Sequence, residues 1–334
     1  MPEVRLAGIE ISIPVIGFGC SSLASVGRKK ALYLLESAFD VGIRHFDVAR
    51  YYGYGETEGI LGTFIKTRRA QITVTTKFGI EPPRRTNALR IALGVGRRFL
   101  RLVPAARKAV QQHASILVKD NAFSVADARR NLETSLRELG TDYIDFYLLH
   151  DYVAGNHSSD ELVAFLGQAV KAGKIRHFGL GTSIDSVMRA LDCEPDLCGV
   201  IQFQDSVLTR NRDKLTQAPR GLVITHGSLA GGYRSLSSFL TADNNRVKDW
   251  SAALDLDCSD ERTLAALLLN YAVEANPGGL LLFSARNADR IRNNAKSVLE
   301  PDVTPSQVKL FAQLVERNLP TLSEYSHENL RQAV

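Results

Sequence analysis

No stretch of this 334-residue sequence approaches the ~20 consecutive apolar positions that a membrane-spanning helix requires. Its four cysteines, Cys20, Cys193, Cys198 and Cys258, form no CxxC pair and no metal-finger spacing, so reduced thiols in a cytoplasmic protein are expected. The opening residues MPEVRLAGIEISIPVIGFG lack the basic patch, apolar stretch and small-residue cleavage site of a secretory leader. Positive charge is not spread over the chain either. Residues 80–123 hold nine Lys or Arg against Glu81 and Asp120, a local +7 that leaves −2 of the overall +5 for everything else. Without a distributed basic face or interleaved aromatics, nucleic acid is not an expected partner.

What is present is a hydrophobic content of 45%, enough for one large core, in a chain whose length suits a single α/β barrel. Short apolar stretches alternate with helix-period stretches: VIGFG (15–19), IRHFD (43–47), ITVTTK (72–77), YIDFYLLH (143–150), IRHFGLG (175–181), GVIQFQ (199–204), GLVITHG (221–227) and GLLLFS (279–284). Helices are expected over 28–40, near 56–67, from a Ser124 cap to Gly140, over about 159–172, and from a Ser259 cap onward. Alternation of this kind implies parallel strands with right-handed crossovers, and eight units close into a (β/α)8 TIM barrel. RLAGIEISIP (5–14) reads as a hairpin plugging the barrel bottom, and no linker divides residues 1–334 into more than one domain.

Active sites of such barrels lie at the C-terminal strand ends. Asp47 ends the second strand, Tyr52 follows in its loop, Lys77 ends the third and His150 ends the fourth. A phenol that gives up a proton at neutral pH benefits from a nearby cation. Lys77 supplies one, Asp47 can hold it by a salt bridge, and His150 can donate to a carbonyl oxygen. Such a set polarises a C=O and protonates its oxygen as charge develops. Hydride must then come from elsewhere, so a nicotinamide cofactor is implied. His45, Asp47 and His150 could imitate a metal site, but Tyr52 and Lys77 fit hydride chemistry better and no metal is expected.

FDVARYYGYGETE (46–58) resembles the aldo-keto reductase signature, and the resemblance continues through TTKFG, LGTDYIDFYLLHD, GKIRHFGLG, IQFQ and SARNADRIRNN, covering Val15 to Val298. It implies that Tyr52 is the general acid, that Lys77 and Asp47 tune it, and that His150 orients the carbonyl. It further implies an extended NADP (NADPH) without a glycine-rich fingerprint. Gln202 would meet the nicotinamide carboxamide. Gly227, Ser228 and Leu229 would hold the pyrophosphate, Ser284, Arg286 and Arg290 the 2′-phosphate, and Asn294 the adenine. The chain departs from the family at Gly181 and Thr182, where Ser-Asn is usual, so half of the implied carboxamide clamp is missing or replaced by Thr182. It departs again at His226, aligned with a tyrosine that stacks on nicotinamide.

The implied activity is reduction of an aldehyde or ketone to an alcohol, or the reverse. Alternatives are an NAD-dependent sugar dehydrogenase and a low-turnover regulatory barrel that binds cofactor. In the basic insert, Leu89, Leu93, Phe99, Leu100 and Val103 fall near one helical face and Arg90, Arg97 and Arg101 on another. That insert reads as a lid steering an anionic or lipid-like carbonyl substrate, as a solvated or partner-binding helix, or as a peripheral membrane contact.

Overall fold

The computed structural model describes residues 3–4, 13–82, 122–155, 160–215 and 221–332. Strands β1 (Glu3–Val4) and β2 (Ile13–Pro14) form an antiparallel pair, with Val4 opposite Ile13 and both side chains buried in the main core. Of the hairpin expected over 5–14 only Ile13–Pro14 is described; its partner, Glu3–Val4, precedes the expected start, and the rest lies outside the described residues.

Eight further strands follow: β3 (Ile16–Gly19), β4 (His45–Asp47), β5 (Thr73–Phe78), β6 (Ile144–His150), β7 (Ile175–Gly181), β8 (Val200–Gln204), β9 (Leu222–His226) and β10 (Leu280–Phe283). Each is parallel to the next, and β10 pairs back onto β3 to close the barrel. All eight coincide with the apolar stretches expected from the sequence: β7 matches at both ends, β5 is shifted by one residue so that Phe78 rather than Lys77 ends it, and the other six are trimmed by a residue or two. Their outward side chains, such as Phe18, Phe46, Val74 and Leu149, are fully buried beneath the surrounding helices.

Ten helices are described: α1 (Arg28–Asp40), α2 (Thr57–Ile65), α3 (Val125–Leu139), α4 (Asp160–Lys171), α5 (Ile184–Cys193), α6 (Ala230–Thr241), α7 (Asn244–Leu254), α8 (Glu261–Glu274), α9 (Ala288–Leu299) and α10 (Pro305–Gln332). The start and stop signals of α3 act as expected. The Ser124 hydroxyl accepts from the Asp127 amide at 3.1 Å, and Gly140 takes φ 63°, which a residue without Cβ adopts at no steric cost. The cap of α8 is one residue later than the sequence suggested. Asp260 accepts from the Arg262 amide, while the Ser259 hydroxyl donates to Asp257 instead. Helices α7 and α10 were not anticipated. They pack with α6 and α8 in a second apolar cluster around Phe239, Trp250, Leu267 and Phe311, outside the main core. The basic insert, including every apolar and arginine position singled out in it, lies outside the described residues.

The register fixes what points inward. Residues paired across parallel strands share a face of the sheet, and faces alternate along each strand. Gly19 pairs with Asp47, Lys77 with Leu148, His150 with Gly181, Gly181 with Gln202, and Gln204 with His226. Asp47, Lys77, His150, Gln202 and His226 therefore all project into the barrel lumen at its C-terminal mouth. One layer below, the His45 ring occupies space above Gly17, where a Cβ would lie 2.8 Å from the imidazole. Its two nitrogens meet the hydroxyls of Thr73 at 2.9 Å and Thr75 at 3.2 Å.

Candidate active site

Tyr52 reaches this mouth from the loop after β4. The backbone keeps pairing with β5 beyond the strand: the amides of Val48 and Arg50 donate to the carbonyls of Thr75 and Lys77. The chain then turns through Tyr52–Gly55, with Gly53 at φ 60° and Tyr54 at φ 56°. A Cβ on Gly53 would sit 2.2 Å from that of Ala24, so this position needs glycine for space as well as for torsion. Glu58, at the start of α2 and fully buried, accepts from Arg50 at 2.5 Å and from the Thr76 hydroxyl at 2.8 Å. It thereby ties the tyrosine loop to the strand that carries Lys77.

The four groups converge. Lys77 Nζ donates to Asp47 Oδ1 at 2.6 Å and to the Val48 carbonyl at 3.2 Å, and it lies 5.2 Å from the Tyr52 ring centre. The Tyr52 and His150 rings meet edge to face with centres 5.9 Å apart. The second carboxylate oxygen of Asp47 accepts from Gln202 Nε2 at 2.9 Å.

Burial pushes the Tyr52 phenol above its ordinary range, and the adjacent ammonium offsets only part of that push. Burial alone would lower Lys77, but Asp47 and Tyr52 outweigh it and the ammonium is held above its usual value. Burial, reinforced by Lys77, takes His150 down to about 3. His226 is lowered by burial as well. At neutral pH the mouth thus holds a protonated phenol, an ammonium and two neutral imidazoles. Such a set can donate protons and hydrogen bonds to an oxygen that gains negative charge.

A groove of about 1840 Å³ runs from this mouth across the C-terminal face. Every catalytic and cofactor candidate from the sequence lines it: Asp47, Tyr52, Lys77 and His150, then Thr182, Gln202, His226, Gly227, Ser228 and Leu229, then Ser284, Arg286, Arg290 and Asn294. Two of them are engaged elsewhere. The Thr182 hydroxyl donates to the Tyr152 carbonyl at 2.8 Å, and the Ser284 hydroxyl donates to the Gly19 carbonyl at 2.8 Å. Arg290 lies 3.5 Å from Glu261 in an exposed pair, while Arg286 is exposed on the rim. Gln204 and Asp151 also line the groove and were passed over. Asp151 directly follows the strand-end His150, which was the available signal.

The groove suits a long anionic ligand. The Ser228 hydroxyl is buried and has no hydrogen-bond partner among the described residues. Beside it, α6 begins with no side-chain cap, leaving its first amides available to an anion. Gly227, at φ 84°, leaves open a space where a Cβ would meet Gln204 at 2.8 Å. These features fit a dinucleotide pyrophosphate. Among the described residues no cluster of His, Cys, Asp or Glu could hold a metal ion, and no helix is long and apolar enough to cross a membrane.

Fold and site together define a (β/α)8 barrel whose chemistry gathers at the C-terminal mouth beside an anion-receptive groove. The model of the Aldo/keto reductase family matches residues 15–316, and the chain belongs to that family. It is similar to a D-threo-aldose 1-dehydrogenase from a Pseudomonas species, at 28% identity over 238 residues, covering 65% of this chain and 62% of that protein. It is also similar to an NADP(+) aldo-keto reductase of Schizosaccharomyces pombe, 27% identical over 252 residues, covering 70% of this chain and 65% of that one. The matches thus span less than two thirds of those relatives' lengths. An aldo-keto reductase from Klebsiella pneumoniae, solved in complex with NADPH, superposes with a TM-score of 0.64 at 20% identity, covering 94% of each chain.

Proposed function

We propose that this protein is an oxidoreductase that interconverts an aldehyde or ketone and the alcohol with NADPH as partner, Tyr52 acting as general acid. The reading treats residues 1–334 as one catalytic domain acting on a small carbonyl compound. The observation that carries it is the Lys77 ammonium, pinned 2.6 Å from Asp47 and 5.2 Å from the Tyr52 ring centre, with the His150 ring edge to face with the phenol at 5.9 Å. When bound, the dinucleotide supplies hydride to the carbonyl carbon. The chain's own residues handle the oxygen. The neutral His150 imidazole carries one N–H and donates it to the carbonyl oxygen, fixing the substrate's orientation. Tyr52 passes its proton to that oxygen as negative charge develops, and Lys77 stabilises the phenolate left behind. Asp47 keeps the ammonium charged and in place.

The preference for the phosphorylated dinucleotide rests on Arg286 and Arg290 at the groove's far end and on the NADP named for the fission-yeast relative. Gly227, Ser228 and Leu229 with the start of α6 would hold the pyrophosphate. Asn294 would lie at the adenine, and Thr182, Gln202 and His226 at the nicotinamide end.

The test is a panel of aldehydes and ketones with NADPH, run on the native protein and on Tyr52→Phe. Carbonyl reduction should fall by about 10²- to 10⁴-fold in the variant while NADPH binding, followed by cofactor fluorescence, stays within about twofold. Equal turnover by both proteins would remove Tyr52 from the acid role.

A further inference from the structure

Strands β4 and β8 face each other across the barrel, four strands apart in either direction round the closed sheet. The side chains of Asp47 and Gln202 nevertheless meet, Gln202 Nε2 donating to Asp47 Oδ2 at 2.9 Å, with both residues 3% exposed or less. The orientation of this amide is dictated by chemistry. A carboxylate paired with an ammonium offers only acceptors, so the nitrogen must be the atom that faces it. Asp47 then has each oxygen committed, one to Lys77 and one to Gln202.

Gly181 on β7 makes this crossing possible. A Cβ built there would lie 3.2 Å from Gln202 Oε1 and 3.3 and 3.4 Å from the Lys77 Cδ and Cε atoms. Those distances are tighter than ordinary side-chain packing, so a larger residue would have to displace one of the two. Gly19 on β3 is likewise bare at the same level of the lumen. The Thr182 hydroxyl, which could have competed, is turned away onto the Tyr152 carbonyl.

We propose that Gln202 is a positioning residue for catalysis: by bridging the barrel mouth to Asp47 it sets the direction of the Lys77 ammonium towards Tyr52, and Gly181 is the vacancy that lets it do so. This rests on the reading of Tyr52 as the acid. Its consequence is that the Gln202 amide nitrogen is spent on Asp47 and does not provide the donor for a nicotinamide carboxamide. Without the bridge, the freed carboxylate oxygen draws Lys77 towards itself and raises the negative potential at the phenol. Lys77, Asp47, His150 and Cys20 are the titratable groups that face Tyr52 there, and of these Asp47 is bonded to Gln202.

The experiment compares the native protein with Gln202→Met, similar in length and lacking the donor, in steady-state kinetics and direct NADPH titration. The expected result is a kcat lowered about tenfold or more. The pH limb of alcohol oxidation that depends on the phenolate should move up by about half a pH unit or more. The limb decides: an unmoved limb overturns the proposal, whether or not cofactor affinity has changed. Gly181→Ser is the second variant, should Gln202→Met fail to fold. Crowding Gln202 and Lys77, it should shift the limb in the same direction, and an unshifted limb there also overturns the proposal. The Tyr52→Phe variant separates the two readings. If it retains turnover and the limb, the assignment of the acid has failed; if it loses both while the Gln202 variant leaves the limb in place, only the bridge has failed.

Discussion

At the residue scale, the phenol and the imidazoles of the mouth are shifted by burial more than by partners, whereas the Lys77 ammonium is held by its partners against burial. His150 is displaced to about 3, first by loss of water and then by the Lys77 ammonium. A free imidazole titrates near 6.5, and such a group would bend a pH–rate profile around that value. Here the imidazole is neutral across the physiological range. The kcat of carbonyl reduction should therefore show no limb between about pH 5 and 8, and a limb near 6.5 in native enzyme that His150→Gln abolishes would refute the assignment. The phenol tells the complementary story. Its upward displacement keeps Tyr52 protonated at neutral pH, which favours donation to a carbonyl over abstraction from an alcohol. Alcohol oxidation should accordingly climb as pH rises into the alkaline range while reduction declines there.

At the scale of elements, the loop that presents Tyr52 holds only a short 3-10 turn, Tyr52–Gly55, interrupted by left-handed Gly53 and Tyr54, so its position is borrowed from its neighbours. Glu58 supplies the link, since one carboxylate joins the loop's Arg50 to Thr76 on β5. Both partners are largely out of water, with Arg50 12% and Glu58 0% exposed. Removing one side of a buried pair strands the other charge, at a cost of about 3–5 kcal/mol. Glu58→Ala should lose about that much in urea denaturation and should lower kcat as well. Glu133, paired with Lys174 on the surface, provides the contrast. Glu133→Ala should change stability by less than about 1 kcal/mol. If the two variants behaved alike, the loop would not depend on the internal pair.

This scale also shows what could be read from the sequence. Strands such as IRHFGLG and YIDFYLLH declare themselves because both faces of a parallel barrel strand are buried, giving short apolar runs that end in Gly or a polar residue. Three members of the candidate quartet were legible because Asp47, Lys77 and His150 each end such a run. The bond from Gln202 to Asp47 was not. It joins residues 155 apart in sequence, on strands that neighbour each other nowhere along the sheet. No local pattern encodes a contact made across a lumen. Thr182 failed to show its hydroxyl's direction for a similar reason, since its acceptor is a backbone carbonyl and carries no sequence signature. Helix α10 was missed although Thr304 bonds Gln307 at its start, because Pro320 lies within the helix and argues locally against it.

At the scale of the whole molecule, the barrel holds neutral imidazoles where most barrels hold aliphatic side chains, and this couples folding to acid. His45 sits in the middle of the lumen, 0% exposed, with both nitrogens on threonine hydroxyls and burial lowering it to about 4. His150 lies one layer above, at about 3. In the unfolded chain each returns to about 6.5. Below that value the unfolded state binds more protons than the folded one, so stability falls as pH falls, and above it the full contribution is present. By the time the folded-state value is reached, the loss is on the order of 3 kcal/mol for His45 and of 4 to 5 kcal/mol for His150. Most carboxylates titrate below about pH 4.5, so the decline between pH 6.5 and 5 belongs to the histidines. Unfolding free energies from urea titrations at pH 7.5, 6.5, 5.5 and 5.0 should show it. His45→Leu removes one of the titrating groups and its threonine contacts together, so its absolute stability is not the readout. The slope against pH is, and it should shrink by close to one proton's worth below pH 6, whereas an unchanged slope would mean that the lumen admits the charged ring.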